Sequence, residues 1–305
     1  MYNFNSNFFK QILIWILRLS AFCVFFGRGW EHLITDAPFR AVLWDPGIME
    51  GFICLLTDLT WHEYTSSSTC NFLIDMSIKL TGLFYLICAA VSLKVQLNHK
   101  HLSKTLIAGS CLLIILSLLF YKTKFYKLGQ FIEYSCQMLS PLFLYAVLYY
   151  QVKFNKFNLV LKATIALTFI GHGLYALGVY ITPGVWFDMA LGSFNFVGLH
   201  PSITQVAQMI FVAGVLDILL AIGIFLPKKW ATPFLIWAFI WGLLTALSRV
   251  VGFMYFDPTL HTFMQWIPQT ILRMPHALIP LAVIVIIYKD AVSFNPKASP
   301  ILLNL

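Results

Sequence analysis

The sequence predicts an all-α polytopic membrane protein, with about eight transmembrane helices arranged as two four-helix repeats. Three observations predict it. Of the 305 residues, 60% are hydrophobic and only 10% are charged, whereas a soluble domain is about 45–50% apolar and about 25% charged. That excess of apolar surface is more than one water-facing globule hides. It excludes a soluble enzyme, a disordered chain and a disulfide-rich secreted domain. Next, eight apolar runs each approach the roughly 20 residues that cross a bilayer core. Finally, polar landmarks of the first half recur in the same order in the second.

The eight runs lie near 10–30, 72–94, 104–121, 128–150, 158–181, 203–226, 230–255 and 268–288. The first carries Arg18 inside its apolar stretch, with no A-x-A site after it, so it reads as a retained anchor rather than a cleaved signal. Pro183, Pro227 and Pro268 fall at junctions, where breaks are expected.

An even number of spans puts both termini on one side. With the N-terminus inside, eleven basic residues fall inside: Lys10, Lys94, Lys100, Lys104, Lys153, Lys156, Lys162, Lys228, Lys229, Lys289 and Lys297. Four fall outside, Arg40, Lys122, Lys124 and Lys127, together with the acids Asp36, Asp45, Glu50, Asp58, Glu63, Asp188 and Asp257. Cytoplasmic loops collect Lys and Arg, so the expected location is the inner membrane, multi-pass, with both termini cytoplasmic. The lysines at 122–127 dissent. A net charge of +8 is then a topology signal. No basic stripe or stacking platform accompanies it, and nucleic acid is not an expected partner; the lipid bilayer is.

The halves divide at 152, giving units 1–152 and 153–305, the first with an outer loop at 31–71. Phe26-Gly27-Arg28-Gly29-Trp30 in the first span is echoed by Ile170-Gly171-His172-Gly173-Leu174 in the fifth. Gln130, Gln137 and Pro141 in the fourth are echoed by Gln269, His276 and Pro280 in the eighth, at a constant offset of 139. Gly82 with Tyr85 matches Gly214 with Asp217. Units of four spans keep one orientation, so the repeat is parallel.

The unit resembles the DoxX-like family of four-helix membrane proteins. The second half carries the likeness best, through its G-x-G helix, the Pro-bearing loop, Gly214-Val-Leu-Asp217 and a last helix opening on Arg273-Met-Pro-His276. In the first half, Arg18 suits the family but the outer loop is longer than usual. A weaker likeness, through Trp44-Asp45, is to vitamin-K-carboxylase-like helical membrane proteins. The DoxX resemblance implies an association with respiratory-chain or thiol-redox chemistry, since some members resemble quinone-linked sulfur oxidoreductase subunits. Fold-level likeness carries little functional weight of its own.

Ionisable groups inside spans are costly and face a bundle interior or a watery cavity. Here they are Arg18, Arg28, Glu31, Asp75, Lys79, Glu133, His172, Asp217, Arg249, Arg273 and His276. Most map to the outer half of the membrane. From them, Arg28, Lys79, Glu133, His172, Arg249, Arg273 and His276 form the candidate ligand-binding set, with no catalytic residue assigned. One reading is a shared polar pocket whose arginines hold an anionic head or whose histidine serves a quinone carbonyl. The other is internal pairing that locks the halves together: Arg28 or Lys79 with Glu133, and Arg249 or Arg273 with Asp217.

No metal site is expected. The eight histidines show no H-x-x-H or H-x-x-x-H within a span, and His99 and His101 sit in a Lys-rich loop. All six cysteines lie in the first 136 residues without a C-x-x-C. Cys54 and Cys70 share the outer loop, where a disulfide between them is one expectation and ordinary thiols the other. In that loop, 37–46 and 49–58 alternate at helical spacing, and Trp44 and Trp61 suit an interface. One or two short surface helices are expected to cap the pocket.

The sequence therefore points to a membrane subunit that binds a quinone or similar lipophilic redox ligand and serves an oxidoreductase, with an outer-side or redox protein as partner. A transporter or lipid-handling protein, and a non-catalytic membrane scaffold, are the alternatives.

Overall fold

A computed structural model describes residues 4–96, 101–150 and 153–294. His99, Lys100, Lys297 and the boundary drawn at 152 lie outside the described residues. Among the described residues every regular element is helical: α1 (Phe4–Ile34), α2 (Arg40–Leu43), α3 (Pro46–Leu56), α4 (Trp61–Ser66), α5 (Ser68–Lys94), α6 (Lys104–Thr123) and α7 (Leu128–Ile132). They continue with α8 (Ser135–Tyr149), α9 (Phe154–Ala176), α10 (Gly184–Phe196), α11 (Ile203–Gly223), α12 (Lys228–Phe256), α13 (Leu260–Ile271) and α14 (Pro275–Phe294).

Eight segments are long and apolar enough to cross a membrane: α1, α5, α6, α7 with α8, α9, α11, α12, and α13 with α14. Two of these spans are broken. The fourth turns at Glu133 and Tyr134, and the eighth at Leu272–Met274. The second break has a local cause. Pro275 has no N–H to give the preceding turn, and proline is well suited to the first position of a new helix.

A single apolar core runs through both halves, from Leu13 and Phe25 on α1 to Leu161 on α9 and Val283 on α14. The first helix of each half sits against the broken span of the other: α1 on α13 and α14, α9 on α7 and α8. Glycines make these approaches close. A Cβ at Gly27 would lie 2.8 Å from the Pro268 carbonyl oxygen, and one at Gly171 the same distance from that of Gly129. In the same way Gly29 faces Gly82 and Leu86, and Gly173 faces Gly214 and Ile218. Small residues allow such backbone contacts where lipid supplies no hydrophobic drive between helices.

The long loop folds into three short surface helices, α2, α3 and α4, where one or two were expected to cap the polar pocket, and no residue of them lines the cavity beneath α10. No residue of α3 is buried, and Phe52, Leu55 and Leu56 are exposed. Thr60 caps α4 in a reciprocal box with Glu63, and its backbone and side-chain hydrogen bonds hold the Glu63 carboxyl below its usual pKa. Arg40 donates to Asp36 at 2.8 Å, and to Asn71 and Asp75, fastening α2 to α5. Lys122 pairs with Asp45, so one of the dissenting lysines is matched by an acid of the same surface. Its ammonium lowers the Asp45 carboxyl. Elsewhere Arg18 donates to the carbonyl of Val95 at 2.6 Å and caps the end of α5, and Lys228 donates to the carbonyl of Ile287 within α14 at 2.8 Å.

Cys54 and Cys70 are both free thiols. Of the two expectations, ordinary thiols are what the structure has: Cys54 is on α3 and Cys70 in the first turn of α5, with α4 between them.

Candidate functional site

The stretch after Pro183, expected to be loop, is the helix α10. It begins behind Pro183 and ends before Gly198, whose φ of 79° suits glycine. It lies against α12 through an unusually tight seam: a Cβ on Gly192 would sit 2.0 Å from the Gly252 carbonyl oxygen. Beneath it, α9, α10, α11, α12 and the break before α14 enclose a cavity of about 340 Å³.

Most of its wall is apolar. Phe169, Trp186, Met189, Phe194 and Leu244 contribute, with Val197, Met209 and Leu244 exposed at its rim. Into this wall project His172, Asp217, Arg249, Arg273 and His276. Four of the seven candidate residues, His172, Arg249, Arg273 and His276, are therefore brought together. Asp217, expected as a counter-ion for an arginine, joins them as a lining residue but pairs with neither arginine.

The polar groups are incompletely matched. The His172 and His276 rings lie 5.3 Å apart, and His172 Nδ1 is 3.7 Å from Glu133 Oε2. His276, 3% exposed, leaves Nε2 without a partner. Asp217 lines the cavity near Trp241 and leaves Oδ1 unpaired. Arg273 donates to the Gln269 side chain at 2.7 Å and leaves Nε unpaired. Arg249 also leaves Nε unpaired, and since buried polar atoms normally find partners, four such residues around one cavity are an exception that needs a cause.

The other candidates are placed elsewhere. Glu133 sits behind the cavity, accepting from Gln130 at 2.5 Å. Arg28 is part of a closed network. It donates to Glu31 at 2.7 Å and to Gln137 at 2.9 Å, and its guanidinium lies over Phe120 and Tyr134. Gln269 donates to Glu31 in turn, so the network runs on to Arg273. The space beside Arg28, Tyr134 and Gln137 is about 10 Å³, at most one water. Lys79 corrects the expected set: it is exposed and lies in a separate shallow depression with His32, Asp36 and Asp75. The pairings expected for Glu133 with Arg28 or Lys79, and for Asp217 with Arg249 or Arg273, are not formed.

Sequence reasoning missed the contribution of α10 and the polar stripe of Thr245 and Ser248 on α12. Gly192 and Gly252 were the available signal, since glycine inside an apolar helix marks a close approach. Among the described residues no group of three or more His, Cys, Asp or Glu is placed to hold a metal ion. Comparison with protein-family models, with curated proteins and with solved structures finds no match to this chain.

Proposed function

We propose that this integral membrane protein binds a lipophilic ligand with an oxygen-bearing head in the cavity beneath α10, as a membrane subunit serving an oxidoreductase. One observation carries the reading. An otherwise apolar cavity of about 340 Å³ holds unpaired polar atoms of Asp217, Arg249, Arg273 and His276. Ligand pockets combine apolar walls with a few converging polar groups in this way. The exposed apolar rim on α11 and α12, helices that cross the membrane, favours entry from the lipid.

A quinone is the ligand class to which the DoxX-like resemblance points, its carbonyls accepting from the arginines or His276. That family reading, with two fused four-helix units, is supported by the matched glycine approaches of α1 and α9 and by the two broken spans. The inner membrane, with both termini cytoplasmic, is the location favoured by the distribution of basic residues. A lipid-handling role is the second reading, favoured by the lateral rim of Val197, Met209 and Leu244.

The test is purification in mild detergent followed by mass spectrometry of co-purified quinone, haem and lipid. A defined species should be retained by the native chain and lost when Ala213→Trp fills the cavity. Bulk phospholipid alone, in equal amount from both, refutes the reading.

A further inference from the structure

Arginine stays charged at any pH a protein meets. Burying that charge without a partner costs several kcal/mol. The chain shows how it satisfies such a group: Arg28, 3% exposed, has a carboxylate, an amide oxygen and two aromatic faces. Arg249 is 7% exposed and, unlike Arg28, makes no hydrogen bond, ion pair or cation–π contact among the described residues, although the Nε of both is unpaired. It lines the cavity together with a second arginine, Arg273.

Glu133 lies close enough for its charge to be felt by both arginines, yet among the described residues no carboxylate forms an ion pair with either. Glu31 accepts from Arg28 and Gln269. Glu133 accepts from Gln130 and faces His172. Asp217, on the cavity wall, forms no ion pair with either arginine. The cavity thus holds two guanidinium groups, and the protein supplies no paired anion for them.

We propose that the head of the bound molecule is itself the missing anion: a carboxylate or a phosphate on a single lipophilic chain. Its oxygens accept from the free guanidinium of Arg249 and from Arg273, with the unpaired Nε2 of His276 beside them. Its chain lies along Phe169, Met189 and Phe194 and leaves past Val197, Met209 and Leu244. At about 340 Å³ the cavity is at the lower end of ligand pockets, roughly 300–1,000 Å³. That size suits one head and the first part of one chain. The inference rests on the ligand-binding reading and narrows it.

The test uses the purified full-length chain, stripped of co-purified lipid, in a non-ionic detergent. Calorimetric titration compares palmitate, hexadecyl phosphate, methyl palmitate, a decyl-substituted benzoquinone and inorganic phosphate. Palmitate or hexadecyl phosphate should bind at least about tenfold more tightly than the ester, because charge-assisted hydrogen bonds are roughly twice as strong as neutral ones. The better of the two identifies the head. Arg249→Gln should lose that tenfold preference while binding the ester unchanged, and without ligand should melt no lower than the native chain. Arg249→Lys replaces it if the glutamine variant does not accumulate, and should keep a preference for the anion.

Equal binding of ester or benzoquinone and palmitate overturns the anionic head and leaves the ligand-binding reading standing. So does full-strength palmitate binding by Arg249→Gln. Inorganic phosphate binding as tightly as hexadecyl phosphate overturns the lipophilic chain. Binding of none of the probes removes this inference, while a defined species retained in the native chain and lost from Ala213→Trp would still uphold the broader reading.

Discussion

The seam between α10 and α12 gives the sharpest structural prediction. In Gly192→Ala the new methyl would stand 2.0 Å from the Gly252 carbonyl oxygen, 2.7 Å from its carbon and 2.8 Å from its Cα. Ordinary carbon–oxygen contact is about 3.3 Å or more, so the helices must part by more than about 1 Å. The obstacle is backbone, which no side-chain rotation relieves. Overpacking typically costs about 1–3 kcal/mol. Opening the seam also forfeits roughly a quarter to a half of the dispersion energy of the contacts along it, which places this substitution at the upper end. The paired substitution Gly252→Ala approaches the Met189 carbonyl oxygen at 2.5 Å and should do less harm. Gly184→Ala, whose Cβ meets open space, should be neutral. The assay is thermal unfolding in detergent, together with the amount of lipid species retained, since α10 roofs the cavity. Melting temperatures should fall in the order Gly184→Ala, Gly252→Ala, Gly192→Ala, and retention should fall with them. Equal melting and retention for all three would refute the close seam.

Glu31→Ala leaves Arg28 buried without its carboxylate and should destabilise the fold by about 3–5 kcal/mol; adding Arg28→Met should restore most of the loss, as read by the yield of folded, monodisperse protein. The Asp45–Lys122 pair lowers the Asp45 carboxyl, so the tether is complete above about pH 4 and weakens only as pH falls through the lowered value. The protection factors against hydrogen exchange at the start of α3, corrected for the intrinsic pH dependence of exchange, should therefore be the same at pH 7 and pH 5 and fall only in stronger acid. Cys54 is exposed, whereas Cys23, Cys88 and Cys136 are buried. A membrane-impermeant maleimide applied to intact cells should label Cys54 and spare those three; labelling of Cys54 only after lysis would reverse the proposed orientation.

The eight spans were legible because long apolar runs have few alternatives, and most of their bounds in the structure fall within a few residues of the runs, the start of the eighth at Leu260 being the largest departure. The breaks were not. Pro275 hints at the second, but Glu133 and Tyr134 contain nothing that forbids helix, and the turn there lies where Gly171 lets α9 come close to Glu133. α10 was hidden for another reason: at 13 residues it is too short to cross a membrane, and its flanking Pro183 and Gly198 read as loop. The polar cluster was half legible. Position along the spans placed His172, Arg249, Arg273 and His276 at matching depth, yet depth does not say which face of a helix turns inward. Lys79 sits one residue from buried Ile78 and points away. Pairing was the least legible part, because opposite charges attract in any list, while only geometry tells that Arg28 is satisfied and Arg249 is not.

The bond from Gln269 to Glu31 joins residues 238 positions apart. It closes the chain on itself, since α1 rests on α13 and α14. During synthesis the first helix enters the membrane long before its neighbour exists. Until the eighth span arrives, Glu31 lacks an amide partner and the face of Gly27 looks onto lipid. Assembly must then either hold the first helix aside or tolerate a temporary partner in that groove. A chain truncated before Leu260 should insert its earlier helices and still remain a substrate for membrane quality control.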